Sequence, residues 1–551
     1  MKIKIQLVIE TETSGDTDQP PVVVEEIFEL KRVETEFSPQ TLGEAQELLA
    51  GVQQTLVTRQ AREYLNYHQK CPECGIPYST KGQHELVFRS LFGKFKLSSP
   101  RFYRCQCQAP HSFQLNAPSS STQKPSASFS PLAAALTERN APELVYLEAK
   151  WASLISYGLT GRLLADLLPT CRTVSKAVLT RQVQSVGQRL ESELSEELPS
   201  VEKTIPRPWD KLAATPAPLI VGIDGGYIHA YKARESKQPV VQTETKPETA
   251  TIIEQKIPVP AAVEATPAQA ISAPPPPKAK EETGNWFEVI VGKSLPEEKD
   301  AKNKCFGFVN NYDTKAKQKV YQVLKSQGMQ PNQPVIFMAD GGDTVRQVQF
   351  SLNLQTEGIL DWFHITMRLT VLKQLAKGLV VKPKASKPQS EEDEDEGSWP
   401  SSEEVESTLQ QIKWKVWHGQ VFAALERLEW LLMDLEVWED QNQVVKKLCK
   451  GVREMSGYLK ANRNYLVNYG ERYRNGERIS TGFVESTVNQ LISRRFVKKQ
   501  QMKWRPRGAH LLLQVRVKVV DDELHQRFCE WYSGMQPLKT EIVEEKTKQA
   551  A

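Results

Sequence analysis

Three features predict a multidomain α+β protein whose α/β core is preceded by a cysteine-bearing hairpin and a helical domain. Two short apolar runs each end in an aspartate followed by a glycine pair. A lone glutamate late in the chain opens a stretch rich in cations and free of acids. Two close cysteine pairs sit near the start, ahead of helical periods. The 551 residues amount to about three to four domains of roughly 100–200 residues each. Lys+Arg 71 against Asp+Glu 67 leaves +4, so any basic surface must be local. Hydrophobic content of 39%, with Pro (34) exceeding Gly (29), points to globular domains diluted by disordered inserts.

No apolar run approaches the ~18 residues a membrane helix needs, and MKIKIQLVIETE lacks the basic-then-apolar profile of a secretory signal. The chain reads as cytoplasmic, with no membrane partner. Ile3, Ile5, Leu7 and Ile9 alternate as a half-buried strand does, and 22–32 can pair with it. A helix follows from Thr41 to about His68, closing a first unit at 1–68. The Ser/Pro-rich stretch from Ala117 to Ser130 reads as linker.

Residues 131–200 return to helical periods. A helix, a break holding Pro169, then Thr173 or Ser175 as N-cap before a second amphipathic helix is the outline of a helix-turn-helix. Arg172, Lys176 and Arg181 stand at the start of the second helix, where a DNA-reading helix needs cations. A plain helical hairpin has the same outline.

Cys71-Pro-Glu-Cys74 and Cys105-Gln-Cys107, inside 69–116, place two thiolate pairs on turns separated by β-forming runs, ELVFRSLFGKFKL and SPRFYRC, joined by turn residues. Four sulfurs so arranged suit a structural Zn²⁺ in a small zinc ribbon. A free-thiol cluster or redox pair is the alternative, and His68, His84 and His111 are spare ligands. Cys171, Cys305, Cys449 and Cys529 are scattered and read as small buried hydrophobes.

Leu219–Ile223 is a buried strand ending in Asp224, with Gly225-Gly226 turning the chain into a second strand at Tyr227–Lys232. After a disordered Pro-rich insert at 235–284, 286–295 is another strand and KCFGFVNNY a further strand or turn. A helix spans about Thr314–Gln327, and a second buried strand, Val335–Met338, ends in Asp340, again before Gly-Gly. Asp343 competes with Asp340 but is better placed to cap the next helix. GILDWFHITMRL then runs from a short strand into a helix. The order is that of a ribonuclease-H-like core, its first part 215–380, its last 476–535. Between them lie a solvated acidic linker at 381–402 and residues 403–470, whose Trp414, Trp417, Leu425, Leu428, Trp430 and Leu431 stand at helical spacings and read as core.

Carboxylates at neighbouring strand ends repel unless a cation sits between them. Two Mg²⁺ (or Mn²⁺) ions about 3.5–4 Å apart would use them for phosphodiester cleavage. Glu485 is the third acid, on a helix capped by Ser480 or Thr481, with Asn489 one turn on. From Ser486 to Val520 there are nine Lys/Arg and no acid, a stretch suited to drawing in a phosphate.

The motifs VGIDGG, FMADGGDT, DWFHITMRL and FVESTVNQLISRRFVKKQQMKWRPRGAHLLLQVR resemble the DDE transposases of Mutator-like type, closest to bacterial insertion-sequence transposases of the ISKra group. The likeness covers most of the chain and implies that 403–470 is an all-helical insertion interrupting the ribonuclease-H-like core between the second Asp and the Glu. It implies an enzyme that binds an element's terminal inverted repeats and target DNA, cuts and joins strands, works as a homo-oligomer and acts at the bacterial nucleoid. It places Asp224, Asp340 and Glu485 as the catalytic, metal-binding triad. It places Asp361 and His364 in DNA handling, with Asn489, Arg494, Arg495, Lys498, Lys499 and Trp504 in the same role. The long insert, which separates the first two acids by 340 − 224 = 116 residues, departs from the family pattern. A catalytically silent DNA-binding descendant is the alternative.

Overall fold

The structure, a computed structural model, describes residues 2–10, 22–32, 41–105, 107, 128–168, 174–194, 218–231, 286–296, 302–330, 333–342, 356–379, 400–497 and 502–536. The insert at 235–284, residues 381–399 of the acidic linker, and Cys171, Arg172, Thr173, Asp343, Lys498 and Lys499 lie outside the described residues.

Strands β1 (Lys2–Glu10) and β2 (Val22–Lys31) form an antiparallel pair. Helix α1 (Leu42–Tyr67) starts on a capping box between Thr41 and Glu44, which satisfies two otherwise orphaned N–H groups. Strands β3 (Thr80–Ser90) and β4 (Gly93–Tyr103) make a hairpin, joined at one end by β5 (Ser128–Phe129). The turn falls at Leu91–Phe92, inside the run expected to be a single strand. The Ser90 hydroxyl takes the Phe92 N–H at 3.1 Å, and Gly93 adopts φ +144°, which a side chain disfavours. Leu86, Phe95, Leu97 and Leu132 close a small core against Val57, Ala61, Tyr64 and Leu65 of α1.

Helices α2 (Pro131–Ala135), α3 (Pro142–Leu154), α4 (Tyr157–Leu167) and α5 (Lys176–Ser192) follow. Ser175 caps α5, and Gly161 of α4 lets the backbone at Val174 approach, since a Cβ there would stand 2.6 Å from the Val174 carbonyl oxygen.

The central sheet comprises β6 (Leu219–His229), β7 (Trp286–Leu295), β8 (Lys304–Val309), β9 (Val335–Ala339) and β10 (Thr356–Leu360), with α6 (Ala316–Ser326) between β8 and β9. Its order is β10-β9-β6-β7-β8. β6, β7 and β8 are antiparallel neighbours, while β6, β9 and β10 run parallel. The expected turn at Gly225-Gly226 is absent. β6 continues through both glycines, paired with Ile290 and Val289 of β7, so Asp224 lies within a strand rather than at its end.

Helix α7 (Trp362–Ala376) leaves β10, and α8 (Ser402–Trp417), α9 (Val421–Glu436), α10 (Gln443–Ala461) and α11 (Tyr469–Arg474) form the insertion. Leu428 and Leu431 belong to its core, Trp417 and Leu425 pack against it, and Trp414 and Trp430 are exposed. The chain closes with α12 (Gly482–Val488), a π-helix at Asn489–Val497, α13 (Pro506–Val520) and α14 (Leu524–Trp531).

Alternation along β6 sorts the packing. Leu219, Val221 and Ile223 meet Val320 and Leu324 of α6. Ile220 and Ile228 face the other way, towards the insertion and towards the π-helix and α13. Helices α3–α5 share that second core with β7, β8 and α13, so the helical segment is built onto the sheet.

Candidate active site and cysteine centre

The parallel β6–β9 ladder ends where Gly222 pairs with Met338. Asp224 follows two residues on within β6, and Asp340 two residues on, just past the end of β9. Burial pushes the Asp224 carboxyl up; the Gly225 amide and His364 oppose this, and Asp340 and Asp361 add to it. Asp340 is exposed, just past β9. Its turn is clamped by α10: the Tyr458 hydroxyl donates to the Asp340 carbonyl at 3.0 Å, and Gly341, at φ +95°, lies so close to Asn462 that a Cβ would stand 2.3 Å from its side-chain oxygen. Sequence reasoning missed Tyr458 and Asn462, whose i, i+4 spacing was the available signal.

Asp361 is fully buried as the N-cap of α7. Its carboxylate accepts from the Phe363 N–H at 3.0 Å, the Thr481 N–H at 3.0 Å, the Thr481 hydroxyl at 2.5 Å and His364 Nδ1 at 2.6 Å. An acid so enclosed cannot touch DNA, which corrects the handling role expected of it; it positions its neighbours. Thr481 precedes α12 but does not cap it through its side chain, because its hydroxyl is committed to Asp361. His364 is pushed up by its bond to Asp361, against the effect of burial, and then by the charges of Asp361, Asp224 and Asp340. His364 thus feels the charges of both Asp224 and Asp340.

Glu485 is exposed in the first turn of α12. That helix lies on the face of β6 that carries Asp224. A Cβ on Gly222 would stand 2.2 Å from Val484 Cγ2, and one on Gly226 3.4 Å from Ile492 Cδ1 of the π-helix. Asp224 sits between those two glycines. Asp224, Asp340 and Glu485 are not among the groups whose ligand atoms all lie within 4.8 Å of one another. Asn489 opens the π-helix, a distortion frequent at functional sites.

The basic stretch divides. Arg494 is exposed, whereas Arg495 is fully buried and Trp504 nearly so, which corrects their expected place at a DNA surface. Arg495 Nε donates to the Ala152 carbonyl at 3.1 Å, with its guanidinium 4.8 Å from the Tyr157 ring centre and 5.1 Å from that of Trp504. Burial lowers its pKa. Arg516 donates to the carbonyls of Leu491, Ser153 and Gln490. Both arginines therefore complete the carbonyl end of α3 and favour its negative dipole end. Lys176 and Arg181 are exposed on α5.

The four expected cysteines do converge. Sγ atoms of Cys71 and Cys107 are 3.4 Å apart, Cys74 and Cys105 3.5 Å, Cys74 and Cys107 3.7 Å. The first pair sits on a tight turn in which Gly75, at φ +71°, donates to the Cys71 carbonyl at 2.9 Å. Burial acts to raise the Cys71 thiol, but the amides of Cys74 and Glu73 outweigh it and bring it down to about 6. Among the described residues, Glu191, Asp313 and His510 form the other cluster able to hold a metal. Its charge is already met, since Lys319 Nζ lies 2.6 Å from Asp313 and 2.9 Å from Glu191. No helix among the described residues is long and apolar enough to cross a membrane.

The chain has a partial structural likeness to the Drosophila P element transposase strand transfer complex, at 9% sequence identity and a TM-score of 0.27, over 70% of this chain and 93% of that one. No family model matches the sequence, and no curated protein does.

Proposed function

We propose that this chain is a metal-dependent DNA transposase of the DDE type, built on a ribonuclease-H-like core and resembling bacterial insertion-sequence enzymes. The observation that carries the reading is that Asp224 and Asp340 each follow, two residues on, the Gly222–Met338 pair that ends the β6–β9 ladder, with the helix bearing Glu485 packed on Gly222. The sheet order, with three antiparallel strands followed by two parallel ones, supports the core assignment. Asp224, Asp340 and Glu485 would hold two Mg²⁺ ions, which would supply Lewis-acid polarisation of a phosphodiester and a more acidic attacking oxygen. The all-carboxylate donor set suits a hard cation. Asp361 orients His364 and the start of α12. The exposed Arg494 and the cations of α5 draw in the DNA backbone.

The cysteine centre would hold a structural Zn²⁺. Its sulfur separations support this, since Zn–S bonds of about 2.3 Å in a tetrahedron set sulfurs about 3.8 Å apart.

Nicking of duplex DNA carrying the inverted repeats that flank the chain's own reading frame tests the proposal. Mg²⁺-dependent cutting is expected, falling by about 10²-fold or more in Asp224→Ala, Asp340→Ala and Glu485→Ala. Cutting that survives any of these rejects that residue's role. A catalytically silent DNA-binding descendant is the second reading, favoured by the failure of the three carboxylates to meet within 4.8 Å; specific binding without nicking would establish it.

A further inference from the structure

Helix α5 turns Leu179, Val183, Val186 and Gly187 into the core. The opposite side carries Arg181, Gln184, Ser185, Gln188 and Ser192, spaced by three and four residues so that they form one stripe. No acid interrupts it. Glu191 turns aside to Lys319 and His510. Two clefts flank the stripe. One, of ≈ 610 Å³, lies between α5 and the β3–β4 hairpin, walled by Arg89 and Lys94. The other, of ≈ 400 Å³, lies between α5 and Arg507.

Arg89 and Lys94 are direct cross-strand partners, a like-charge pairing that costs stability unless an anion answers it. Glu148, on the wall of the same cleft, is the acid whose charge Arg89 meets. The hairpin end is nonetheless fixed in place: Arg89 N–H donates to the Arg139 carbonyl at 2.9 Å, and Ala141 N–H to the Arg89 carbonyl at 2.7 Å. Arg89 and Lys94 on one side and Arg507 on the other thus bracket a helix face of Arg, Gln and Ser. Those are the side chains that pair with guanine and adenine edges in a major groove.

We propose that α5 reads duplex DNA through Arg181, Gln184, Ser185 and Gln188, while Arg89 and Lys94 on one flank and Arg507 on the other hold the phosphates. This deepens the transposase reading and rests on it for the choice of DNA as partner. Lys176 lies off the stripe, packed over Gly158 of α4, and makes no base contact.

Full-length protein is used to select from duplexes of random sequence, and the enriched motif is compared with that of Gln184→Ala and Gln188→Ala. Each variant is expected to lose about tenfold discrimination at one or two positions of the motif, with its melting temperature unchanged. Arg89→Ala, Lys94→Ala and Arg507→Ala are expected to weaken binding to every sequence alike, each lowering the salt slope by about one. An unchanged motif in both glutamine variants, or no motif for the wild type, overturns the proposal. Nicking is measured separately. Nicking with a motif indifferent to Gln184 and Gln188 keeps the transposase and loses this helix; a motif lost in those variants without nicking does the reverse.

Discussion

At the scale of the residue, the acids divide by what encloses them. Asp361, gripped from four donors, is a structural pin between β10, α7 and α12. Its replacement by Ala is expected to destabilise the protein by roughly 3–5 kcal/mol, read as a fall in the urea midpoint. The Asp361–His364 pair also sets a pH window. Asp361 is held below its ordinary 3.8, because burial, which would raise it, is outweighed by bonds from His364 and Thr481. Its contribution is therefore complete above 3.8 and lost as pH falls through its folded value. His364 is raised above 6.5, so its contribution is complete below 6.5 and fades as pH rises through its folded value. The stability gap between the wild type and His364→Gln should accordingly be widest between about pH 4 and 6.5 and narrow above it. A gap independent of pH would remove His364's charge from the account. Arg495 makes the converse point. A guanidinium replaced inside a core by an apolar side chain of similar volume is often neutral or stabilising, so Arg495→Met should keep DNA affinity within about twofold. Neighbouring Arg494→Ala, at an exposed site, should weaken it in a salt-dependent way. Charge counting along the sequence could not separate these two, because adjacent residues on a helix face different surroundings.

At the scale of the element, the sequence was most legible where periodicity and caps agree. The helix from Thr41 to His68, the strand before Asp340 and the helices of the insertion emerge where expected. It was least legible where glycine has two meanings. A glycine pair usually marks a turn, yet Gly225 and Gly226 stay in β6. Gly222, in the same strand, is there because α12 lies almost on the backbone. Gly222→Ala would drive a methyl into Val484, and overpacking of this kind costs about 1–3 kcal/mol. Because α12 also carries Glu485, nicking should fall together with stability, whereas Gly328→Ala, at a glycine with nothing within 4 Å, should leave nicking intact even though its φ of +83° strains the backbone. Equal nicking in the two variants would separate α12's seating from function. The proposed triad could be read only in part. Apolar runs leading into Gly-Gly marked Asp224 and Asp340, but how β6 and β9 align depends on a parallel register between segments more than a hundred residues apart.

At the scale of the molecule, the hydrophobic cores draw boundaries that composition does not. Helices α3–α5 looked like a separate domain, yet Leu179, Val183 and Val186 share a core with Val291, Leu512 and Leu513. Gly187 lies so close to α13 that a Cβ would stand 2.4 Å from the Leu511 carbonyl oxygen. The hairpin differs. Its own core of Leu86, Phe95, Leu97 and Leu132 is packed by α1, and at its far end the four cysteines join the Cys71–Cys74 turn to Cys105 and Cys107. The zinc proposed for that cysteine centre would supply folding free energy where a small core cannot. Removing it with a chelator should therefore speed amide exchange in β3 and β4, most at the cysteine end, and spare α5, β6 and α13, whose amides should exchange at one shared free energy. Exchange rising equally in all of them would mean that the zinc centre supports the whole molecule. Exchange rising in α5 but not in β6 would mean that α3–α5 fold apart from the sheet, and the shared core would then not be the cooperative unit its packing implies.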